Sequence, residues 1–222
     1  FNNMLAVIML RTELALQMVP ADTPLHRSLT TVYTTAQRSA HLVQQLLGFA
    51  RRQTIAPKVL DLNAAVDGLL SMLDKLIGEE VTLDWQPGPD LWPVKMDSAQ
   101  VDQILTNLCV NARDAMGAHG TISIRTANAT LAGIAHDDGQ PTTSADYVLL
   151  SVSDTGSGIA PDLLEHIFEP FFTTKGVGKG TGLGLATVDG IVQQNRGYIQ
   201  VSSAPDAGAT FAIYLPRFPM CL

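Results

Sequence analysis

The sequence predicts an α+β protein in which a two-helix hairpin precedes a domain of mixed helices and strands. Apolar residues recur at helical spacing through residues 4–52, with one proline-bounded break. From about residue 56 onward, helical stretches alternate with short runs that have the period of a half-buried strand. Glycine-rich motifs lie where the later strands and helices meet. These observations together set the fold class.

Size and composition exclude several classes of protein. The chain has 222 residues, of which 46% are hydrophobic, so it can form one large globular domain or two smaller ones. A net charge of -7 argues against nucleic acid as a partner, because a phosphate backbone demands a basic face. The 2 cysteines, Cys109 and Cys221, give no disulfide framework and suit a reducing compartment.

The start of the chain is apolar but lacks the character of a membrane segment. Polar and charged side chains interrupt residues 1–19, so we expect no membrane contact by this segment and a cytoplasmic location. A signal peptide is not expected, since there is neither a basic start nor a cleavage site. Because the sequence does not begin with methionine, we expect it to be a fragment of a longer protein.

Two long helices are predicted first. One covers residues 4–19 and the second runs from about 24 to 52, with Pro20 and Pro24 bounding the break between them. Asp22 or Thr23 is suited to cap the second helix. A hairpin of this kind leaves its apolar stripes exposed, so we expect two copies to pair into a dimeric four-helix bundle.

A linker near residues 53–57 divides the predicted domains, which are residues 1–55 and 56–222. Asp97 and Gln100 have the spacing of a capping box at the start of one helix, and Gly117 ends that helix. A loop or hairpin tip is expected at residues 130–146. In the second domain, the sequence predicts helices over 62–77, 97–116 and 181–194, and strands over 81–85, 91–94, 121–127, 147–153, 198–203 and 210–215.

Asn107 and Asn111 lie four residues apart in the predicted helix 97–116. That interval is close to one helical turn, so both side chains project from one face. An amide oxygen can join phosphate oxygens around Mg²⁺ without adding negative charge. The alternative is a pair of solvated helix asparagines.

Asp154, Gly156 and Gly158 follow the predicted strand 147–153. A carboxylate here can accept a hydrogen bond from the exocyclic amine of adenine, and the glycines allow the backbone to approach the ring. A simple glycine turn is one alternative. Another is the Asp-Thr-Gly triplet of aspartic proteases, which would need a symmetric dimer to supply the second carboxylate.

The third motif is an alternating series of glycines that leads into the last predicted helix. Backbone N–H groups at a glycine-rich helix start make an anion site. The spacing matches neither the dinucleotide fingerprint nor the phosphate-binding loop that ends in Gly-Lys-Ser/Thr. Lys175 and Lys179 could reach phosphates or could be solvated lysines of a lid. The glycines are Gly178, Gly180, Gly182 and Gly184.

Together these motifs resemble the catalytic core of bacterial sensor histidine kinases, over essentially the whole chain. The resemblance implies a Bergerat-type α/β sandwich with a mixed sheet, in which ATP lies under a mobile lid at about residues 168–182. The matching segments are 107–115 (N box), 154–158 and 178–184 (glycine boxes), 167–175 (F box) and 208–211 (a last box with Ala209 where threonine is usual).

The resemblance also implies roles for single residues. Asn111 would coordinate Mg²⁺, Asn107 would assist catalysis at the phosphates, and Asp154 would hold adenine. Phe171 or Phe172 would anchor the lid, and a phosphate contact from Arg113 is a further suggestion. The remaining residues carried over to ATP binding are Gly156, Gly158, Lys175 (also catalytic), Gly180, Gly182, Leu183, Gly184 and Thr210.

The first residues resemble the start of the dimerisation helix of these kinases, and the phosphorylated histidine would lie two positions before Phe1. We therefore expect this fragment to bind Mg-ATP but not to phosphorylate itself at the family position. Asn3 falls where the family orients a water for phosphatase chemistry, and a helix-capping asparagine is the alternative. His26 and His41 are expected to be surface or packing residues.

The activity implied by the resemblance is transfer of the γ-phosphoryl group of Mg-ATP to a histidine outside this chain. The group would then pass to an aspartate of a response-regulator receiver domain. An ATPase or ATP-gated clamp of the same superfamily is the alternative, and a scaffold that binds nucleotide without chemistry is a third. The helical hairpin ahead of the ATP-binding domain favours the kinase.

Overall fold

The computed structural model describes residues 2–50, 56–117, 119–131, 145–176 and 180–219, with the backbone alone described at 2, 3, 38 and 40–50. Contacts between Cα atoms divide the chain into two units. One comprises Phe1–Thr54 and Thr173–Leu183, and the other comprises Ile55–Phe172 and Gly184–Leu222. The predicted domain boundary at 55/56 falls at residues 51–55, which are outside the described part of the chain.

The first unit contains two helices that pack against each other, α1 (Asn2–Met18) and α2 (Pro24–Ala50), as the sequence predicts. Thr23 caps α2, because its Oγ1 accepts from the His26 N–H at 3.2 Å and donates to the Pro20 carbonyl at 2.8 Å. In the described part of the chain, no helix has the length and apolar character needed to cross a membrane.

The second unit contains a five-stranded sheet in the order β2-β4-β5-β7-β6. Strands β2 and β4 pair in parallel and the other neighbours pair antiparallel, so the predicted mixed sheet is confirmed. A separate antiparallel pair joins β1 to β3. The strands are β1 (Lys58–Leu60), β2 (Val81–Gln86), β3 (Val94–Met96), β4 (Gly120–Leu131), β5 (Ala145–Asp154), β6 (Tyr198–Ser203) and β7 (Ala209–Pro216).

Three helices cover one face of this sheet: α3 (Leu62–Ile77), α4 (Ser98–Met116) and α5 (Gly184–Gln194). The strands place alternate side chains in the core beneath these helices, and the pairing aligns Ile124, Val152 and Phe211 in one buried row. The result is a two-layer sandwich of helices on a mixed sheet.

The alternation decides which side chains of β5 and β7 can face the helices. Asp154 lies two residues after the buried Val152 and therefore on the core face. Ser153 and Thr210 are register partners on the opposite face, where their hydroxyls lie 2.9 Å apart. Asp154 thus ends a core strand at the edge of the helix layer.

The predicted strand 91–94 is wrong over residues 91–93, because β3 begins only at Val94. Pro93 has no N–H to give to a ladder, and the Trp92 N–H donates to the Asn128 side chain at 2.9 Å. The last helix was predicted to begin at residue 181, but it begins at Gly184. Gly182 has a φ of 65°, which no α-helix allows.

The predicted capping box is half correct. Asp97 accepts from the Ala99 N–H at 3.0 Å, whereas the Gln100 side chain is buried and donates to Gln194 Oε1 at 2.9 Å. The ends of the predicted loop 130–146 belong to β4 and β5, and residues 132–144 are outside the described part of the chain.

Candidate nucleotide-binding site

The Asp154 carboxylate is fixed by the backbone on both sides of it. Its Oδ1 accepts from the Gly156 N–H at 2.8 Å and from the Ala209 N–H at 3.3 Å. Partial burial raises the pKa of Asp154, and the two N–H groups oppose that rise because they stabilise the charged form. Since both bonds end on Oδ1, Oδ2 is the oxygen best placed to accept from a ligand.

The loop after Asp154 is held against the end of α4. The Ser157 N–H donates to the Ala115 carbonyl at 3.1 Å, and Thr155 Oγ1 accepts from the Thr121 N–H at 3.0 Å. Gly158 has a φ of 69°, and a Cβ there would overlap the Ala204 carbonyl. The carboxylate is therefore preorganised by a loop that tolerates no ordinary side chain at Gly158.

The turn between β6 and β7 closes the other side of this loop. The Gly208 N–H donates to the Gly156 carbonyl at 3.0 Å, and the Asp206 N–H donates to the Ser157 carbonyl at 2.7 Å. Gly208 has a φ of 72°, and a Cβ there would overlap the Asp154 carbonyl. The close approach of these two backbones is what brings the Ala209 N–H to the Asp154 carboxylate.

Asn107 and Asn111 lie side by side at the start of α5. A Cβ built on Gly184 would be 3.6 Å from Asn107 Oδ1 and 3.6 Å from Asn111 Nδ2. The first backbone N–H groups of a helix attract anions, so this corner combines an anion-binding helix start with two amide side chains. Such a corner can receive a phosphate chain.

The same corner fits Mg²⁺ bound together with a polyphosphate. The amide oxygens of Asn107 and Asn111 are hard ligands, and Mg²⁺ commonly takes one or two protein oxygens and completes its shell with phosphate oxygens and water. Among the described residues, there is no group of three or more His, Cys, Asp or Glu side chains able to hold a metal by itself. A metal held at this corner would take its remaining ligands from the nucleotide and from water.

The two phenylalanines suggested as lid anchors differ in their surroundings. Phe172 packs on the core of the second unit, and its ring lies 5.9 Å from that of His166. Phe171 is 64% exposed and has a φ of 70°, which is unusual for a bulky residue. His166 also contacts Glu169 at 2.7 Å, and that carboxylate raises the pKa of the imidazole. Of the two, Phe172 is the one that packs on the core, and its role as lid anchor stays a prediction.

Thr210 and Arg113 are not brought to the carboxylate or the phosphate corner. The Thr210 hydroxyl pairs with Ser153 on the opposite face of the sheet from Asp154. Arg113 donates to the Leu76 carbonyl at 2.9 Å and forms an ion pair with Asp114 at 2.7 Å. Its guanidinium therefore holds the end of α3, where the last carbonyls lack helical partners.

The other predicted site residues lie in the first unit or outside the described residues. Gly178 and Lys179 are outside them, as is the side chain of Asn3, whose backbone is in α1. In the segment Thr173–Leu183, the Lys175 N–H donates to Thr173 Oγ1 at 3.2 Å and Leu183 is buried. The remaining predicted residues of that segment are Gly180 and Gly182.

Sequence reasoning missed two residues that shape the site. The Ala209 backbone N–H reaches Asp154, although a backbone donor leaves no sign in the sequence. Ser203 bonds to two loops through one hydroxyl. A usable signal existed for Ser203, because a serine at an apolar position of an alternating strand needs hydrogen-bond partners.

Comparison with known proteins identifies the family. A family model described as histidine kinase-, DNA gyrase B-, and HSP90-like ATPase matches residues 96–219. The sensor kinase CckA of Brucella abortus (strain 2308) is 48% identical over 217 residues, which are 98% of this chain. The chain spans only 23% of that relative.

Solved structures share the fold. Full-length ShkA in complex with AMPPNP has a TM-score of 0.66 at 23% identity, over 99% of this chain and 47% of that chain. Histidine kinase ThkA in complex with the response regulator protein TrrA has a TM-score of 0.65 at 20% identity, over 97% of this chain and 57% of that chain.

The predicted Bergerat fold is thereby confirmed, and the aspartic-protease alternative loses its support. The family model covers α4, the glycine loops and the strands that hold Asp154. The chain belongs to the family of histidine kinase-, DNA gyrase B- and HSP90-like ATPases, as a catalytic core of the sensor histidine kinase type.

Proposed function

We propose that this chain binds Mg-ATP and transfers its γ-phosphoryl group to a histidine outside the chain, and then to an aspartate of a response-regulator receiver domain. The observation that carries the proposal is the pairing, within one unit, of the Asp154 carboxylate with the corner formed by Asn107, Asn111 and Gly184. The AMPPNP in the ShkA complex supports the ligand, and TrrA in the ThkA complex supports the partner.

In this proposal the residues of the second unit position the nucleotide rather than react with it. Asp154 Oδ2 accepts from the adenine amine, and the N–H groups at the start of α5 face the phosphates. The amide oxygens of Asn111 and Asn107 would hold the metal, and their NH2 groups would donate to the adjacent phosphate oxygens. Bound Mg²⁺ would neutralise charge on the phosphates during in-line transfer.

The helical hairpin is proposed as the dimerisation and phosphotransfer domain, residues 1–55, and residues 56–222 as the ATP-binding domain. Exposed apolar side chains along both helices support a homodimer, because a monomer would leave them in water. Asn3 is proposed to act in phosphatase chemistry. The exposed side chains are Met4, Val7, Ile8, Leu10, Leu14 and Met18 on α1, and Leu25 and Val32 on α2.

Three expectations from the sequence stay predictions. One is the role of Lys175, Gly180, Gly182 and Leu183 at the phosphates. Another is the cytoplasmic location. The third is that the chain does not phosphorylate itself, which incubation with radiolabelled ATP tests directly. A stable, acid-labile label on His26 or His41 would contradict this third expectation.

Calorimetry of the chain with ATP and excess Mg²⁺ tests the proposed binding. We expect Asn111→Ala to abolish Mg²⁺-dependent binding and Asp154→Ala to weaken binding while the chain stays folded, as followed by circular dichroism. Asp189→Ala, within α5 where the carboxylate accepts from Gln193 Nε2 at 2.7 Å, is the control. Unchanged ATP affinity in both site variants would contradict the proposal.

The alternative of an ATPase or ATP-gated clamp differs in its products. A clamp releases phosphate steadily in the absence of any receiver domain. The kinase passes label to a receiver domain only when its histidine is supplied, for example by a longer piece of the protein. Steady phosphate release by the chain, without any transfer from that longer piece, would favour the clamp.

A further inference from the structure

We propose that Ser203 is a positioning residue that holds the Asp154 carboxylate where it can accept a hydrogen bond from the base of the nucleotide. It would thereby set the preference for a 6-aminopurine. The inference rests on the proposed ATP binding and adds a residue to which the sequence motifs assign no role. Ser203 lies at the end of β6, on the same sheet face as the core residue Phe211, and its side chain is partly buried.

One hydroxyl joins two loops that contact Asp154. Ser203 Oγ accepts from the Ile159 N–H at 2.8 Å and donates to the Gly208 carbonyl at 2.7 Å. Ile159 follows the glycine loop at Gly158, and Gly208 precedes the donor Ala209. Both distances are those of well-formed hydrogen bonds, so the hydroxyl's donor and one of its acceptor positions are used.

The consequence for Asp154 follows from the unequal lengths of its two hydrogen bonds. The bond from Gly156 is 2.8 Å, whereas the bond from Ala209 is 3.3 Å and already near the limit for an N–H donor. A small shift of the Gly208 carbonyl moves the next peptide N–H, which belongs to Ala209. Loss of that bond frees the carboxylate to rotate, and Oδ2 is then no longer held in position to accept a hydrogen bond from the base.

The hydroxyl therefore acts on base recognition through Asp154 and has no contact of its own with the ligand. A purely structural role for Ser203 would weaken every nucleotide equally. A positioning role weakens only nucleotides that carry the 6-amino group, because only these use Asp154 Oδ2. The ratio of affinities for ATP and for purine riboside 5′-triphosphate, which lacks that amine, separates the two roles.

The test uses Ser203→Val and Ser203→Thr in the full chain. These side chains have nearly the same shape, and only threonine keeps the hydroxyl. We expect Ser203→Val to weaken ATP binding by about fivefold to tenfold, the effect of one lost hydrogen bond, and to weaken purine riboside triphosphate by less than about twofold. Ser203→Thr should keep the wild-type ratio of affinities.

Two controls fix the interpretation. Ser202→Ala, on the exposed face of the same strand, should leave both affinities unchanged. In an Asp154→Asn background, Ser203→Val should have no further effect on ATP, since the carboxylate that it positions is gone.

Equal weakening of both nucleotides by Ser203→Val, or an undiminished effect in the Asp154→Asn background, would overturn the inference while ATP binding stands. A wild-type chain that binds neither nucleotide would overturn the proposed function itself. Should Ser203→Val fail to fold, Ser203→Ala takes its place with the same expected ratio, and circular dichroism verifies the fold of each variant.

Discussion

In the proposed site, the charge of Asp154 favours ligand binding at the expense of stability. Burial raises the pKa of this carboxyl above 3.8, so the folded chain binds its proton more tightly than the unfolded chain does. At neutral pH the ionised group therefore lowers the free energy of unfolding, and this penalty disappears as the pH falls through the raised pKa. Two backbone N–H groups offset part of it. A substitution that keeps the shape of the side chain but removes its charge should therefore weaken ligand binding without lowering stability.

Asp154→Asn keeps the size of the side chain and an acceptor for Gly156 and Ala209, but it replaces Oδ2 by a donor. We expect ATP affinity to fall by about tenfold to a hundredfold, as for a lost hydrogen bond to a charged group, while thermal stability at neutral pH stays equal or rises. Calorimetry and thermal melts measure the two effects. The stability difference from wild type should shrink as the pH falls toward and below the raised pKa. Lower stability of the variant at every pH would contradict this account.

Gly208 is, with Gly158, one of two residues of the site at which backbone packing leaves no room for a Cβ. Gly208→Ala would place a Cβ against the Asp154 carbonyl at a φ of 72°. We expect the free energy of unfolding to fall by about 1–3 kcal/mol and ATP affinity to fall with it. Gly190→Ala is the matched control, because Gly190 lies in α5 with open space around it, and alanine there should add about 0.5–1 kcal/mol. Urea denaturation measures both. Wild-type affinity in Gly208→Ala would show that the two backbones need not meet closely.

At the scale of elements, α4 and α5 form one positioning device with a polar contact at each end. Asn107 and Asn111 meet the start of α5 at Gly184. At the other end, Gln100 is buried, donates to Gln194 Oε1 at 2.9 Å and accepts from Asn195 Nδ2 at 3.0 Å. Since the helices pack antiparallel, this amide cluster lies at the opposite end of the helix pair from the phosphate corner. It helps to fix the distance between α4 and α5, and hence between the two asparagines and Gly184.

Gln100→Leu should therefore affect both stability and binding. Leucine has a similar volume but removes the hydrogen bonds to Gln194 and Asn195, which should cost about 0.5–1.5 kcal/mol of stability. Gln103→Leu, on a more exposed position of the same helix, should change stability by less than about 0.5 kcal/mol. Urea denaturation compares the two variants. Equal stability of Gln100→Leu and wild type would show that the amide cluster does not hold the helices.

The same elements show what could be predicted from the sequence. The helix Leu62–Ile77 and the strand Tyr198–Ser203 were predicted with their observed bounds, because periodicity and flanking breakers are local signals. The partner of Gln100 was not predictable, since a residue 94 positions away supplies it. Likewise the motif places Thr210 beside the site, but only the register of β5 and β7 reveals that its side chain faces the other way. Local patterns thus locate the elements, and long-range pairing decides which side chains meet.

At the scale of the whole molecule, the two units divide the work of the proposed kinase. The second unit buries most of its large apolar side chains in one core, whereas the first unit exposes several large ones on α1. Because the apolar side chains left exposed on α1 belong to the hairpin, we expect two chains to associate through the hairpin alone. Nucleotide binding through Asp154 and the asparagines should then survive loss of association.

Val7→Glu combined with Leu10→Glu tests this division of work. The two side chains are 58% and 57% exposed, so charges there should not disturb folding, but they should disrupt an apolar helix–helix interface. We expect the wild-type chain to sediment as a dimer and the double variant as a monomer in analytical ultracentrifugation, with ATP affinity changed by less than about twofold. Thr31→Glu combined with Thr35→Glu, at exposed polar positions of α2, is the control and should remain dimeric. A monomeric wild-type chain would contradict the bundle, and a loss of ATP affinity in the charged variant would show that the second unit needs the dimer to form its site.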